Sequence, residues 1–176
     1  KTAATLPAPS SLTSYMASNS SPQDLAVGID LGTSSAAIAI EEADGVRVLA
    51  DAQGRELMPT VVSYLADGRI ITGVAAKNRA AIAPHTTVTS IKRLIGRSME
   101  DVAKNNLQSR YAIPIVASPN GGIQLRVGIR QLTPVDVEAE ILRALKDIGA
   151  QRLQRSVREA VITVPASFQH PQREAT

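Results

Sequence analysis

Apolar and polar positions change their spacing along the chain, and the changes mark its elements. Residues 25–30 are apolar and β-branched and read as a buried strand. Residues 36–41 and 46–50 read as two more strands. The turn Leu31-Gly32-Thr33-Ser34-Ser35 joins the first pair into a hairpin. Gln53-Gly54-Arg55 reads as a turn. Residues 60–65 and 69–72 bracket Asp67-Gly68, a strong hairpin signal. Beyond this point the spacing becomes helical. Residues 74–82 are Ala-rich. Val88, Ile91, Leu94 and Ile95 recur at helical spacing, and Gly96 stands where a helix would stop. Residues 98–107 form a weaker helix pattern. Residues 113–117 and 123–128 read as strands around Pro119-Asn120-Gly121-Gly122. Thr133 can cap a long helix, and Pro134 suits its first position. Val137, Ile141, Leu145 and Ile148 form its apolar stripe, with Glu138, Glu140, Arg143, Lys146 and Asp147 on the other side. Residues 159–164 read as a buried strand ending at Pro165, and a further helix begins before Thr176.

A strand trio, a long helix and then a buried strand imply an α/β sheet. Residues 61–132 would be an α+β insertion built on it. Residues 1–24, rich in Ser, Ala, Thr and Pro, are expected to be a disordered tail. Met16, followed by Ala17-Ser18, reads as a translation start, with residues 1–15 upstream of it. The pattern also implies an open sheet edge at Thr176 and hence a truncated domain.

Composition narrows the chemistry. Aromatics are only 2% of residues against 44% hydrophobic, so the core must be built from Val, Ile, Leu and Ala. The net charge of +3 is scattered, without a basic stripe interleaved with aromatics, so nucleic acid is not an expected partner. The absence of cysteine excludes disulfides and thiolate zinc sites. No apolar run approaches the ~20 residues of a membrane span, and residues 1–24 lack the pattern of a signal peptide. A cytoplasmic address without membrane attachment is the expectation. His85 and His170 have no acidic or His partner at ligand spacing and read as surface residues.

The candidate chemistry lies at Asp30-Leu31-Gly32-Thr33-Ser34-Ser35. A tight turn of small residues can present several backbone N–H groups to phosphate oxygens. Gly32 allows close approach, and the hydroxyls of Thr33, Ser34 and Ser35 can add donors. Asp30 can hold a hydrated Mg²⁺. The same six residues also suit an ordinary hairpin turn, and Lys77, taken alone, is a solvated helix lysine. Lys92, Arg93 and Arg97 could meet a phosphate by charge alone, but a structural or interface role is the preferred reading.

Five segments in order carry a resemblance. Ala26-Val27-Gly28-Ile29-Asp30-Leu31-Gly32-Thr33 is similar to the first phosphate loop of the seventy-kilodalton heat-shock chaperones. Glu56-Leu57-Met58-Pro59-Thr60-Val61-Val62, Gly73-Val74-Ala75-Ala76-Lys77 and Ile91-Lys92-Arg93-Leu94-Ile95-Gly96-Arg97 resemble later segments of that family. So do Ile162-Thr163-Val164-Pro165-Ala166-Ser167-Phe168 and the following Gln172-Arg173-Glu174-Ala175-Thr176. The resemblance covers about residues 25–176. It implies the first lobe of an actin-like (ribonuclease H-like) ATPase domain, with the second lobe and the peptide-binding domain absent. It implies ATP or ADP with Mg²⁺ as ligands, and ATP hydrolysis coupled to binding and release of client peptides. The chain alone is expected to be inactive. By the same resemblance Asp30 organises Mg²⁺ through water, and Gly32, Thr33, Ser34 and Ser35 cradle the phosphates. Lys77 sits beside the γ-phosphate, and Pro165 and Arg173 couple nucleotide state to substrate release. The expected partners are client peptides and a J-domain co-chaperone. Residues 48–55 and the short stretch 108–122 lean toward the HscA type, with an iron–sulfur scaffold protein as a further partner. The sequence departs from the family pattern at Ser35, Ala36, Val74, Ser167 and Pro171. Ser35, Ala36 and Val74 motivate an alternative, a non-hydrolysing scaffold of the same fold. Another actin-like enzyme such as a sugar kinase is a third reading, against which residues 92–97 and Val164-Pro165-Ala166 argue.

Overall fold

The computed structural model describes residues 25–176; the expected disordered tail and the Met16 start lie outside the described residues. The hairpin read from the sequence is β1 (Leu25–Leu31) and β2 (Ser35–Glu42), continued antiparallel by β3 (Gly45–Val48). A two-residue strand, β4 (Met58–Pro59), pairs with the start of β2, a pairing too short to leave a periodic signal. Two three-stranded sheets follow within residues 61–132. The first has β5 (Val61–Tyr64) between β6 (Ile70–Thr72) and β7 (Thr87–Thr89). The second has β9 (Ile123–Val127) between β8 (Ile115–Ala117) and β10 (Arg130–Leu132). Three short helices are α1 (Gly73–Arg79), α2 (Met99–Lys104) and, at the end, α4 (His170–Ala175).

The long helix, α3 (Pro134–Leu153), starts with a complete capping box. Thr133 Oγ1 accepts from the Asp136 N–H at 3.2 Å, and Asp136 Oδ2 accepts from the Thr133 N–H at 2.8 Å. Val137, Ile141 and Leu145 are buried as the pattern requires. Glu138, assigned from the sequence to the solvated side, is only 2% exposed. The reason is helical: 138, 141 and 145 follow i, i+3, i+7, so Glu138 lies on the same inward stripe. The helix packs against strands of all three sheets and delivers the chain to β11 (Val157–Thr163), which runs parallel to β1.

Two further readings change. β11 is not a buried strand: it edges the sheet in the order β11-β1-β2-β3, and Glu159 to Val161 face solvent, Val161 at 47% exposure. The apolar positions 88–95 do not form one helix. Val88 belongs to β7, Ser90 adopts the left-handed conformation (φ 52°), and only Ile91–Arg93 make a turn of 3-10 helix. The Tyr111 hydroxyl donates to the Ser90 carbonyl at 2.9 Å and fixes this break. Helical spacing was a by-product of packing: Val88, Ile91 and Leu94 enter one apolar core with Val27, Ile29 and Leu125.

Gly96 closes this segment at φ +62°, and a Cβ there would lie 2.8 Å from Gln172 Cα in α4. Backbone strain and collision act together, so Gly96→Ala is expected to cost roughly 2–3 kcal/mol. The reading is a drop in the urea unfolding midpoint. An unchanged midpoint would mean that this turn does not seat against α4.

Candidate functional site

In sheets containing parallel strands, ligands gather beyond the strands' carboxyl ends. Here the only parallel pair among the described strands is β1 with β11, and their ends carry Asp30-Leu31 and Thr163. Asp30 and Thr163 are register partners, and Thr163 Oγ1 donates to Asp30 Oδ1 at 2.7 Å. Beside them is a cleft of about 240 Å³ lined by Asp30, Leu31, Gly32, Thr33, Lys92, Thr163, Val164 and Pro165. A nucleotide pocket is usually larger. This cleft has room for phosphate groups and leaves the rest of such a ligand outside it.

The turn after β1 is held from behind. The Gly32 N–H donates to the Ser35 carbonyl at 3.0 Å, and a Cβ on Gly32 would stand 2.4 Å from that oxygen, so a side chain there would break the turn. Thr60 is 2% exposed and holds two loop carbonyls. Its Oγ1 donates to Thr33 O at 2.8 Å and its N–H to Ser34 O at 3.1 Å. With the carbonyls turned inward, the N–H groups of Thr33 and Ser34 have no acceptor among the described residues. Free N–H groups on a tight turn form a concavity suited to an anion.

A cation that lines this cleft is Lys92. It is 4% exposed, and its Nζ donates to the Leu31 carbonyl and, at 3.2 Å, to the Thr163 carbonyl. It thereby ties together the ends of the two parallel strands. The ring of Phe168 lies 5.5 Å from Nζ, within cation–π range. Burial pulls the Lys92 pKa below its ordinary value, while the charges of Glu138 and Asp30 pull it back up.

The site residues expected from the sequence separate into two groups. Asp30, Gly32, Thr33 and Pro165 line the cleft, and Ser34 and Ser35 complete the turn. Arg173 joins through the backbone: its Nε donates to the Phe168 carbonyl at 3.0 Å, and the Phe168 N–H donates to the Pro165 carbonyl at 2.9 Å. Lys77 is not brought to the loop. It is exposed on α1, which packs on β4 to β7, and does not line the cleft. Sequence reasoning put the working lysine at 77 and gave Lys92 a structural role; it gave Thr60, Thr163 and Phe168 no role. One signal was available for Lys92: a lysine among Ile91, Leu94 and Ile95 must go inside or break the apolar run. Of the departures from the family pattern, Ala36 is 1% exposed in the core and does not face the cleft. Pro171 falls in the first turn of α4, where proline is at home. His85 and His170 are exposed, the first against the Ala112 carbonyl; the second, against the sequence reading, does have an acid one helical turn on, Glu174 at 3.7 Å.

No helix among the described residues is long and apolar enough to cross a membrane. Residues 26–176 match the family model described as "Hsp70 protein". A similar curated protein is the chaperone protein DnaK of Thermus thermophilus, 40% identical over 151 residues, which are 86% of this chain. The chain spans about a quarter (24%) of that relative's length.

Thr60→Val keeps the side-chain volume but removes the donor to Thr33 O. The expected loss is about 1 kcal/mol of stability, with faster amide exchange at Gly32 and Thr60, whose N–H groups donate to the Ser35 and Ser34 carbonyls. Exchange unchanged at those two amides would show that Thr60 does not hold the loop.

Proposed function

The chain belongs to the Hsp70 family, and on that premise we propose that the cleft at the ends of β1 and β11 is the phosphate and magnesium wall of an ATP site. The whole protein would be an ATP-hydrolysing chaperone. The observation that supports this most is a cleft lined by both the buried Lys92 and Thr33, whose N–H has no acceptor among the described residues. The residues fit the ligand's chemistry. Gly32 lets the turn close tightly on the Ser35 carbonyl, the loop supplies donors, and Asp30 offers a carboxylate. One carboxylate suits Mg²⁺, which keeps several waters and binds mainly through phosphate. When bound, Mg²⁺ would neutralise charge on the phosphate oxygens.

Phosphoryl transfer needs positioning and charge stabilisation more than covalent help. In the proposed mechanism Gly32, Thr33, Ser34 and Ser35 hold the phosphates by N–H and hydroxyl donors. Asp30, oriented by Thr163, holds the metal's water shell. Lys92 supplies a fixed positive charge at the cleft wall, where low dielectric strengthens it. We assign it the role that sequence reasoning gave to Lys77. Pro165, Phe168 and Arg173 form a hydrogen-bonded path from this wall to α4 and are suited to carry nucleotide state outward. Hydrolysis would then shift an equilibrium between weak and tight client grip, with client peptides and a J-domain co-chaperone as partners. The relative reported above carries the name DnaK, and we carry forward the general chaperone reading in preference to an iron–sulfur specialist. The buried position of Ala36 removes one motive for a decayed, non-hydrolysing site.

In the full-length protein, Lys92→Ala is expected to lower ATP turnover by roughly 100-fold or more, the loss typical for removing a transition-state charge partner. Lys77→Ala is expected to leave turnover within a few fold. The reverse pattern, with Lys77→Ala inactive and Lys92→Ala active, would overturn the assignment.

A further inference from the structure

A lysine that is 4% exposed beside a phosphate cleft needs a partner for its charge, and the carbonyls of Leu31 and Thr163 carry none. The structure places a carboxylate behind it. Glu138 is 2% exposed on the inward stripe of α3, and this helix packs on the 3-10 turn that carries Lys92. Its Oε1 is buried without a hydrogen-bond partner among the described residues. A helix designed only for packing would carry an apolar side chain at that position, next to Val137 and Ile141.

We propose that Glu138 is a positioning residue for Lys92: its carboxylate is the ammonium's inner counter-ion and keeps Nζ seated on the carbonyls of Leu31 and Thr163. The functional half of this inference rests on the nucleotide reading above, whereas the pairing itself does not.

The surrounding charges support the pairing. Burial pushes the Glu138 carboxyl up to about 6, while the Lys92 charge and the nearby Thr176 hydroxyl pull it down. Lys92 in turn feels Glu138 from α3 and Asp30 from β1. The other acids of that part of α3, Asp136 and Glu140, act on Tyr64 instead, as does Arg130 of β10. Above about pH 6 Glu138 is ionised and the pair is neutral overall. Below it Glu138 takes a proton, and the ammonium loses the counter-charge on its α3 side. Anion affinity at the loop should therefore rise as pH falls through that value, beyond what the anion's own titration explains. The stability sign follows the same group. Its folded pKa lies above the ordinary carboxylate value, so the folded chain binds this proton more readily. Stability falls as pH rises from the ordinary carboxylate range through about 6.

The test is a nuclear magnetic resonance titration of full-length protein isotope-labelled at lysine Cε, with the Lys92 signal assigned by its loss in Lys92→Met. The expected result is an inflection of the Lys92 signal near pH 6. Glu138→Gln should abolish that inflection and lower the pH at which Lys92 itself deprotonates. If Glu138→Gln does not fold, Glu138→Asp should keep an inflection but move it. A wild-type Lys92 signal that stays flat across pH 6, or an inflection that survives Glu138→Gln, overturns the proposal. Adding Mg·ADP separates the two claims. An inflection present in a protein whose Lys92 signal ignores Mg·ADP supports the pairing and defeats the nucleotide reading.

Discussion

An ammonium taken out of water beside the ends of two parallel strands is the constraint on which this structure turns. Lys92 joins β1 to β11 through the carbonyls of Leu31 and Thr163, strands separated by more than a hundred residues of chain. Burying such a charge costs several kcal/mol unless it is well partnered. The partners therefore have to be assembled from distant elements: β1, β11, α3 and the Phe168 ring. That requirement explains why a 3-10 turn interrupts the apolar run at 91–93 and why α3 keeps an acid on its inward stripe.

The same arrangement defines the cleft. Strand ends that Lys92 holds side by side bring Asp30 within 2.7 Å of Thr163 Oγ1. Thr60 then fixes the loop carbonyls, and the N–H groups of Thr33 and Ser34 are left without an acceptor among the described residues. Positive charge, free donors and a single carboxylate converge without any one element supplying all three. A site built in this way depends on tertiary packing, and a change in the small sheets or in α3 would reach it.

Much of the frame was legible in the sequence because its signals are local. The Thr133 cap, the Asp67-Gly68 turn and the β1–β2 hairpin each follow from residues a few positions apart. The loop residues Gly32 to Ser35 and the acid Asp30 were equally visible, since a tight turn of small residues is a local feature. Glu138 was misread, and the cleft position of Lys92 was not foreseen, for the opposite reason. Their burial is decided by what packs on them from across the chain, and charged residues default to the surface in any reading by composition. Lys77 drew the catalytic assignment from a segment resemblance, but it stands exposed on a helix packed on β4 to β7 and is not among the residues that line the cleft. β11 was misjudged because an apolar run reads as buried, whereas its place at the sheet edge leaves Val161 in solvent.

The central claim is that the β1–β2 loop and Lys92 together receive phosphate, and a direct measurement is the map of backbone and lysine signals of the full-length protein on titration with Mg·ADP. The account predicts the largest changes at the amides of Thr33 and Ser34 and at the Lys92 side chain, with Lys77 little affected. Saturable binding that moves Lys77 and its neighbours while leaving Thr33, Ser34 and Lys92 in place would contradict it.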